Sequence, residues 1–415
     1  MPHQETADTQ GLVFFSKQPI LDADRRIWGY ELLGGELHQG IFRIFPKQES
    51  AAASLSSSTY YGLQEAMARG KRVMVAFDAA SVMEGLANAL PTGLGWVHLT
   101  LDAKPDAALL KTLEALRAEG YGVALDVAPG SPAMAAAKQA DILVMEHTPG
   151  ALAPAFAKLA AKDAEMLARG VRNLEQFQAA RDQGYTLFQG PFFKEPEMVP
   201  GRKLSSNEVS RLQMLRLLEA KDPDPEGLAA AVKGDVAVSF RLLTLLNSPA
   251  FGLLQKVDSV DHAVRLLGWV KLKSWLRAVL LADMSGQDEA PQELAALSMQ
   301  RGRFLELITT EYDYWGFNPE TMFLLGMFSL LDTILGMPMA EVVELLPLDT
   351  KLKASLRRDP GNDHQSLFDL ITSLEDGDWP AFQDMTGRLG FEQEAIKSSY
   401  SSAMEWTGVF FAARA

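Results

Sequence analysis

The feature that most constrains this chain is a change of rhythm near residue 200. From Gly11 to about Pro196, short runs rich in Val, Leu and Phe alternate with longer Ala-rich stretches of helical period, which is the pattern of β/α units. Strands are expected over 12–15, 27–32, 73–77, 96–101, 123–127, 142–145 and 186–188, and helices over 105–118, 151–161 and 174–183. Asn173 suits the N-cap of the last helix, because its side-chain oxygen can accept from a free backbone donor of the first turn. So many repeats in so short a stretch point to a compact (β/α) barrel, although an open doubly wound sheet has the same local signature. Lys194 to Asn207, with Pro196, Pro200, Gly201 and the Ser205-Ser206 pair, has no apolar period and reads as an interdomain connection. Beyond it the strand signal stops. Val209, Leu212, Leu215 and Leu218 share a helix face, Leu242 to Leu246 end at Asn247-Ser248-Pro249, and Ser259 and Asn318-Pro319 mark helix starts. The expected layout is α/β plus all-α: a barrel over 11–196, a linker over 197–207 and a helical domain over 208–415.

Composition narrows the functions open to such a chain. Its 415 residues exceed one ordinary core, since a domain holds roughly 100–200 residues. A formal charge of −14 gives a surface that repels polyanions, so nucleic acid is not an expected partner. The absence of cysteine removes thiolate nucleophiles, disulfides and cysteine-based zinc sites. Met1 to Gln10 is polar and acidic rather than basic and then apolar, and no stretch reaches the ~18 uninterrupted apolar residues of a membrane span. A cytoplasmic protein without membrane insertion is expected.

Three motifs in the first half carry a resemblance. Gln18-Pro19-Ile20, Gly29-Tyr30-Glu31-Leu32-Leu33 and Phe188-Gln189-Gly190-Pro191-Phe192-Phe193 resemble the opening and closing signatures of EAL domains, (β/α) barrels that hydrolyse cyclic di-GMP. The resemblance implies two divalent cations held by carboxylates and an asparagine at the C-terminal strand ends, with a lysine near the attacked phosphate. Paired cations polarise the phosphodiester and activate water, and hard cations of this kind take oxygen ligands. Here Glu31 and Asp126 stand at such positions, but the asparagine falls on Ala76 and the second Asp on Val127. The strand that should carry two glutamates reads His98-Leu99-Thr100-Leu101, and the lysine position is Val144. Arg169 and Arg172 lie where late glutamates belong, and Gly34-Gly35 replaces an arginine. A cationic side chain in a metal cage opposes the metal. The reading is that no metal or cofactor binds and that the chain is not an enzyme. Glu31 and Asp126 are then mouth carboxylates bonded to neighbours or water, and Gln18, Glu31, Asp126 and Gln189 form a vestigial nucleotide pocket.

In the second half, Phe240 to Gly252, followed by Ser259-Val260 and Ala263 to Gly268, resembles the signature of HDOD domains, which are similar to HD-type phosphohydrolases but lack their His-Asp metal pair. Ser329 and Leu330 stand where His and Asp would. Asn247, Ser248 and Phe251 sit at a helix end where capping and partner contact are equally open. Trp269 and Trp275, six positions apart, project in different directions on one helix, so one of them should be exposed and mark a contact surface. The order EAL then HDOD implies a bacterial signalling protein. The function expected is a non-enzymatic scaffold or regulator acting through protein contacts, the alternative a sensor that binds cyclic di-GMP without hydrolysing it, and active phosphodiesterase chemistry is disfavoured. Expected partners are a signalling protein, cyclic di-GMP at most weakly, and a second copy of the chain.

Overall fold

The computed structural model describes residues 12–38, 41–44, 66–67, 69–147, 164–197, 203–220, 225–247, 256–286, 288–312, 316–362 and 364–412. The helix expected over 151–161, Ser248 and Phe251 lie outside these, as does the side chain of Trp269.

The strands are β1 (Leu12–Asp22), β2 (Ile27–His38), β3 (Ile41–Ile44), β4 (Arg72–Phe77), β5 (Gly95–Leu99), β6 (Gly122–Asp126), β7 (Ile142–Glu146), β8 (Glu165–Arg169) and β9 (Leu187–Gln189). They run β1-β9-β8-β7-β6-β5-β4-β2-β3, and the extra β1–β2 pairing closes the sheet on itself, so the barrel reading holds and the open sheet does not. β1 is antiparallel to both its neighbours, whereas β2 and β4 to β9 pair in parallel. Several strands outrun their sequence signal: β2 continues past residue 32 to His38, and β3 was not expected. β1 continues to Asp22 because Asp22 Oδ1 accepts from the backbone of Asp24 (2.9 Å) and Arg26 (2.8 Å), tying the turn that sends the chain back as β2. β8 was not expected at all: its apolar run is only Met166-Leu167-Ala168 between Glu165 and Arg169, yet all three are buried.

Strand alternation then sets the layers. Ile20, Met74, Ala124, Ile142, Val144, Leu167 and Leu187 form a buried layer inside the barrel, each large side chain contributing roughly 1.5–3 kcal/mol. A step of two residues toward the C-terminal ends of the parallel strands replaces this layer by Ala76, Asp126, Arg169 and Gln189. On antiparallel β1 the same step runs from Ile20 to Gln18, which is paired with Glu31. The barrel helices α1 (Ala79–Met83), α2 (Ala107–Ala118) and α3 (Leu174–Asp182) start at Asp78, Asp106 and Asn173, each accepting a backbone N–H of its first turn, as expected for Asn173. Behind β9, Phe177 stacks on Phe192 with centroids 4.9 Å apart. Gly190 has φ +141°, and a Cβ there would stand 2.2 Å from Val171 O, so this turn requires glycine.

The second half is helical among its described residues: α4 (Ser206–Leu218), α5 (Pro225–Gly234), α6 (Val236–Leu246), α7 (Val260–Leu267), α8 (Trp269–Met284), α9 (Glu289–Glu311), α10 (Pro319–Phe328), α11 (Leu331–Leu335), α12 (Met339–Val342), α13 (Thr350–Leu356), α14 (Gln365–Asp376), α15 (Trp379–Leu389) and α16 (Gln393–Ala412). α4 begins inside the stretch read as linker. Ser205 and Glu208 form a reciprocal capping box, so the serine pair is a helix start rather than a flexible tether. Asn318 caps α10 with Pro319 at its first position, as the sequence implied. α9 and α10 approach so closely that a Cβ on Gly326 would meet Arg301 C at 2.4 Å. Trp275 is half-buried with its ring centroid 4.9 Å from that of Trp406.

By contacts the chain divides into a unit of 1–192 with 369–397 and a unit of 193–368 with 398–415. The sequence reading gave all of 208–415 to one domain. The difference arises because the end of α14, the whole of α15 and the start of α16 pack with the barrel strands: Ser16 Oγ donates to Glu375 O at 2.6 Å. Among the described residues no single helix is long and apolar enough to cross a membrane.

Candidate functional site

The strand alternation that buries the lower layer brings six polar side chains together at the C-terminal mouth of the barrel. Glu31 of β2 is fully buried. Arg169 of β8 reaches it with Nη2 at 2.9 and 3.0 Å from the two carboxylate oxygens, and Gln189 of β9 donates Nε2 to Oε2 at 2.7 Å. His98 of β5 lies between the two acids, Nδ1 2.8 Å from Glu31 Oε1 and Nε2 3.0 Å from Asp126 Oδ1. Asp126 of β6 also accepts from Thr100 Oγ1 at 2.6 Å and lies 3.4 Å from Arg169 Nη1. Arg169 Nε donates to Gln189 Oε1 at 3.0 Å, which fixes the orientation of that amide.

The electrostatics follow from burial and pairing. Burial by itself would push the Glu31 carboxyl up, but the Arg169 guanidinium and His98 outweigh it and hold it at about 2. Burial and Arg169 both oppose charge on His98, yet Glu31 and Asp126 overcome them and raise it to about 8. Asp126 is likewise opposed by burial and is held well below the usual carboxylate range by His98, Arg169 and Thr100. At neutral pH the network holds two carboxylates, one guanidinium and one imidazolium, and Glu146 at the end of β7 adds a further acidic side chain beside Arg169.

Of the residues singled out from sequence, the structure brings Glu31, Asp126 and Gln189 into one network. Gln18 shares their face of the sheet, opposite Glu31, but its Nε2 donates at 3.2 Å to Glu375 O. His98, which the sequence places on the strand that should carry two glutamates, lies between the two acids. Thr100 was passed over, although its place two residues after His98 on one strand puts both on one face. The cations that the EAL resemblance implies do not fit this set. Both candidate carboxylates are already engaged by cationic nitrogens, and Arg169 places a guanidinium against them; among the described residues no group of three His, Asp or Glu could hold a metal ion.

In the helical half, Ser329, at the position of the HD histidine, is buried; its hydroxyl accepts from Arg301 Nη1 at 2.9 Å and donates to Gly326 O at 2.7 Å. Asn247 is tied down: Nδ2 donates to Leu243 O (2.8 Å) and Val257 O (2.7 Å), and Oδ1 accepts from Val257 N (2.7 Å), so it caps α6 and clamps the next segment.

Comparison with known proteins adds three findings. The HDOD domain model matches residues 205–344. Cyclic di-GMP phosphodiesterase CdgJ of Vibrio cholerae is 29% identical over 418 residues, covering 97% of this chain and 94% of that protein; the uncharacterised protein YuxH of Bacillus subtilis is 25% identical over 405 residues, covering 95% and 98%. Among solved structures, an EAL domain protein from Listeria monocytogenes aligns at 17% identity and a TM-score of 0.36, over 44% of this chain and 87% of that one. The first relative corrects one expectation. The lost ligand positions led to the reading that the chain is not an enzyme, yet a protein aligned over nearly its whole length bears the name of an enzyme, which points to activity rather than to none.

Proposed function

We infer that this chain, an EAL-type barrel followed by an HDOD domain, works in cyclic di-GMP signalling and engages the dinucleotide at the mouth of its barrel. The observation that carries the reading is Arg169. Its Nε and Nη2 are held by Gln189 and Glu31, whereas Nη1 has a longer contact of 3.4 Å to Asp126, whose side chain is 30% exposed. A phosphate oxygen can replace that weakest partner and gain a charge-assisted bond to an arginine already oriented for it. His98, protonated and bonded to the same Asp126, adds positive charge beside the exchange point. Gln18, on the same face and opposite Glu31, carries an amide suited to the edge of a base, whereas the buried Gln189 amide is spent on Glu31 and Arg169.

Titration calorimetry of the full chain with cyclic di-GMP, with and without magnesium, tests this. Saturable binding is expected without the metal, weakened about tenfold or more in Arg169→Gln, a loss of about 1.4 kcal/mol. No binding at millimolar nucleotide would overturn it. Linear product is measured in the same samples. Turnover that magnesium raises would mean that the mouth rearranges to admit a cation, and turnover lost in Arg169→Gln would place the chemistry here.

A second reading, in which the helical half contacts a protein, is favoured by Phe240 of α6, which is 69% exposed. An aromatic side chain held in water is the kind of anchor that interfaces use.

A further inference from the structure

We propose that the turn between α14 and α15, Glu375 to Gly377, is a gate built into the barrel mouth. The turn holds the mouth's Gln18 in an internal bond and must lift before a nucleotide can use that residue. The proposal rests on the reading of the mouth as a nucleotide site.

The argument begins with β1. Ser16, Gln18 and Ile20 alternate onto one face; Ile20 belongs to the barrel's inner layer, and Gln18 is paired with Glu31, the buried centre of the mouth network. Ser16 and Gln18 therefore continue that inner face past the mouth. Both donate to a single acceptor, Glu375 O, at 2.6 and 3.2 Å. That carbonyl lies in the last turn of α14, where a helix leaves its acceptors without intrahelical donors, so the two β1 side chains take the place of a C-terminal cap. Gly377 follows with φ +66°, and a Cβ built there would lie 3.3 Å from Leu33 Cδ1 and 3.7 Å from Gln18 Nε2. The positive φ favours glycine here, and any side chain would also press on Leu33 at the β1–β2 rim. Asp378 then caps α15, and buried Trp379 and Phe382 anchor that helix.

Two consequences follow. Glu375 O takes one N–H of the Gln18 amide and Gly377 lies against its nitrogen, so a base edge that needs that N–H competes with the turn for it. The competition is reciprocal: any event that lifts the turn by a given factor raises nucleotide affinity by that factor, and nucleotide loosens the turn equally. α14 runs from residues of the helical unit, Gln365 to Phe368, into residues of the barrel unit, so the gate is the end of a helix that begins in the other half of the chain.

The experiment uses the full chain and two gate variants. Gly377→Leu forces a side chain into a left-handed backbone and against Leu33; Ser16→Ala removes one of the two donors and leaves the backbone unstrained. Hydrogen exchange of residues 373–379 reports the turn, and calorimetry with cyclic di-GMP reports the mouth. Exchange about tenfold faster together with nucleotide binding about tenfold tighter in either variant is the expected result. Faster exchange with unchanged affinity would overturn the gate. If neither parent nor variants bind the nucleotide, the nucleotide reading fails and the gate is judged by access alone: the chain has no cysteine, so Leu33→Cys labels with a maleimide at a single site. Labelling about tenfold faster with Ser16→Ala in the same chain supports a gate, and an unchanged rate refutes it.

Discussion

Raising the pH through the titration of His98 should loosen the barrel by an amount that the structure sets. The imidazole is 3% exposed and lies between Glu31 and Asp126, which raise its pKa from 6.5 to about 8. A base whose folded pKa exceeds its unfolded value stabilises the fold most fully below the unfolded pKa, and loses that contribution as pH rises through the folded one. The window is therefore pH 6.5 to 8. The 1.5 units between these values correspond to about 2 kcal/mol at about 1.4 kcal/mol per unit. Hydrogen exchange of the β5 amides reads this in the barrel alone, in the parent and in His98→Gln, at about pH 6 and about pH 9 after correction for intrinsic rates. The parent should lose about 2 kcal/mol more than the variant between the two conditions. Equal losses would refute the reasoning, because the imidazolium would then contribute nothing that a neutral amide does not.

Arg169→Met should destabilise the barrel by up to about 3–5 kcal/mol in urea melts, since it leaves the buried Glu31 carboxylate with only His98 and Gln189, and adding Glu31→Gln should recover a large part of that. Acidification from about pH 4.5 toward 2 should weaken the parent as Glu31 protonates, its folded pKa being held at about 2, and the Arg169→Met/Glu31→Gln double variant should show a flatter acid limb in the same melts. Gly326→Ala should cost about 1–3 kcal/mol or more, because its Cβ would meet Arg301 C at 2.4 Å where α9 and α10 touch. Ser205→Ala should cost about 1 kcal/mol through loss of the α4 cap, read as a lower urea midpoint.

The barrel was legible because buried parallel strands announce themselves as apolar runs, and the caps at Asn173 and Asn318 because they rest on one side chain and its own first turn. β8 was not legible, since three apolar residues between a glutamate and an arginine carry no periodic signal. The acids and the glutamine of the mouth could be found through motifs, but the partner of each could not. That Arg169 engages Glu31 across 138 positions, and Glu375 O engages Ser16 across 359, follows from closure of the barrel and from the packing of α14 and α15, which no local pattern encodes. The same limit governs the domain boundary: the change of rhythm near residue 200 marks where strands end, but it cannot show that 369–397 return to the barrel's unit.

That return has a consequence for how the protein is made. The serine that holds Glu375 emerges from the ribosome 359 residues ahead of its acceptor. At about 5–20 residues per second, the interval is on the order of 20–70 seconds. Once Gln189 has emerged the barrel strands are complete, and from then until Glu375 follows, Ser16, Gln18 and Leu33 face water where α14 and α15 will later lie. A nascent chain paused before residue 369 thus carries a mouth of different accessibility from that of the finished protein. Its first half, expressed alone, reports the behaviour of that unfinished state.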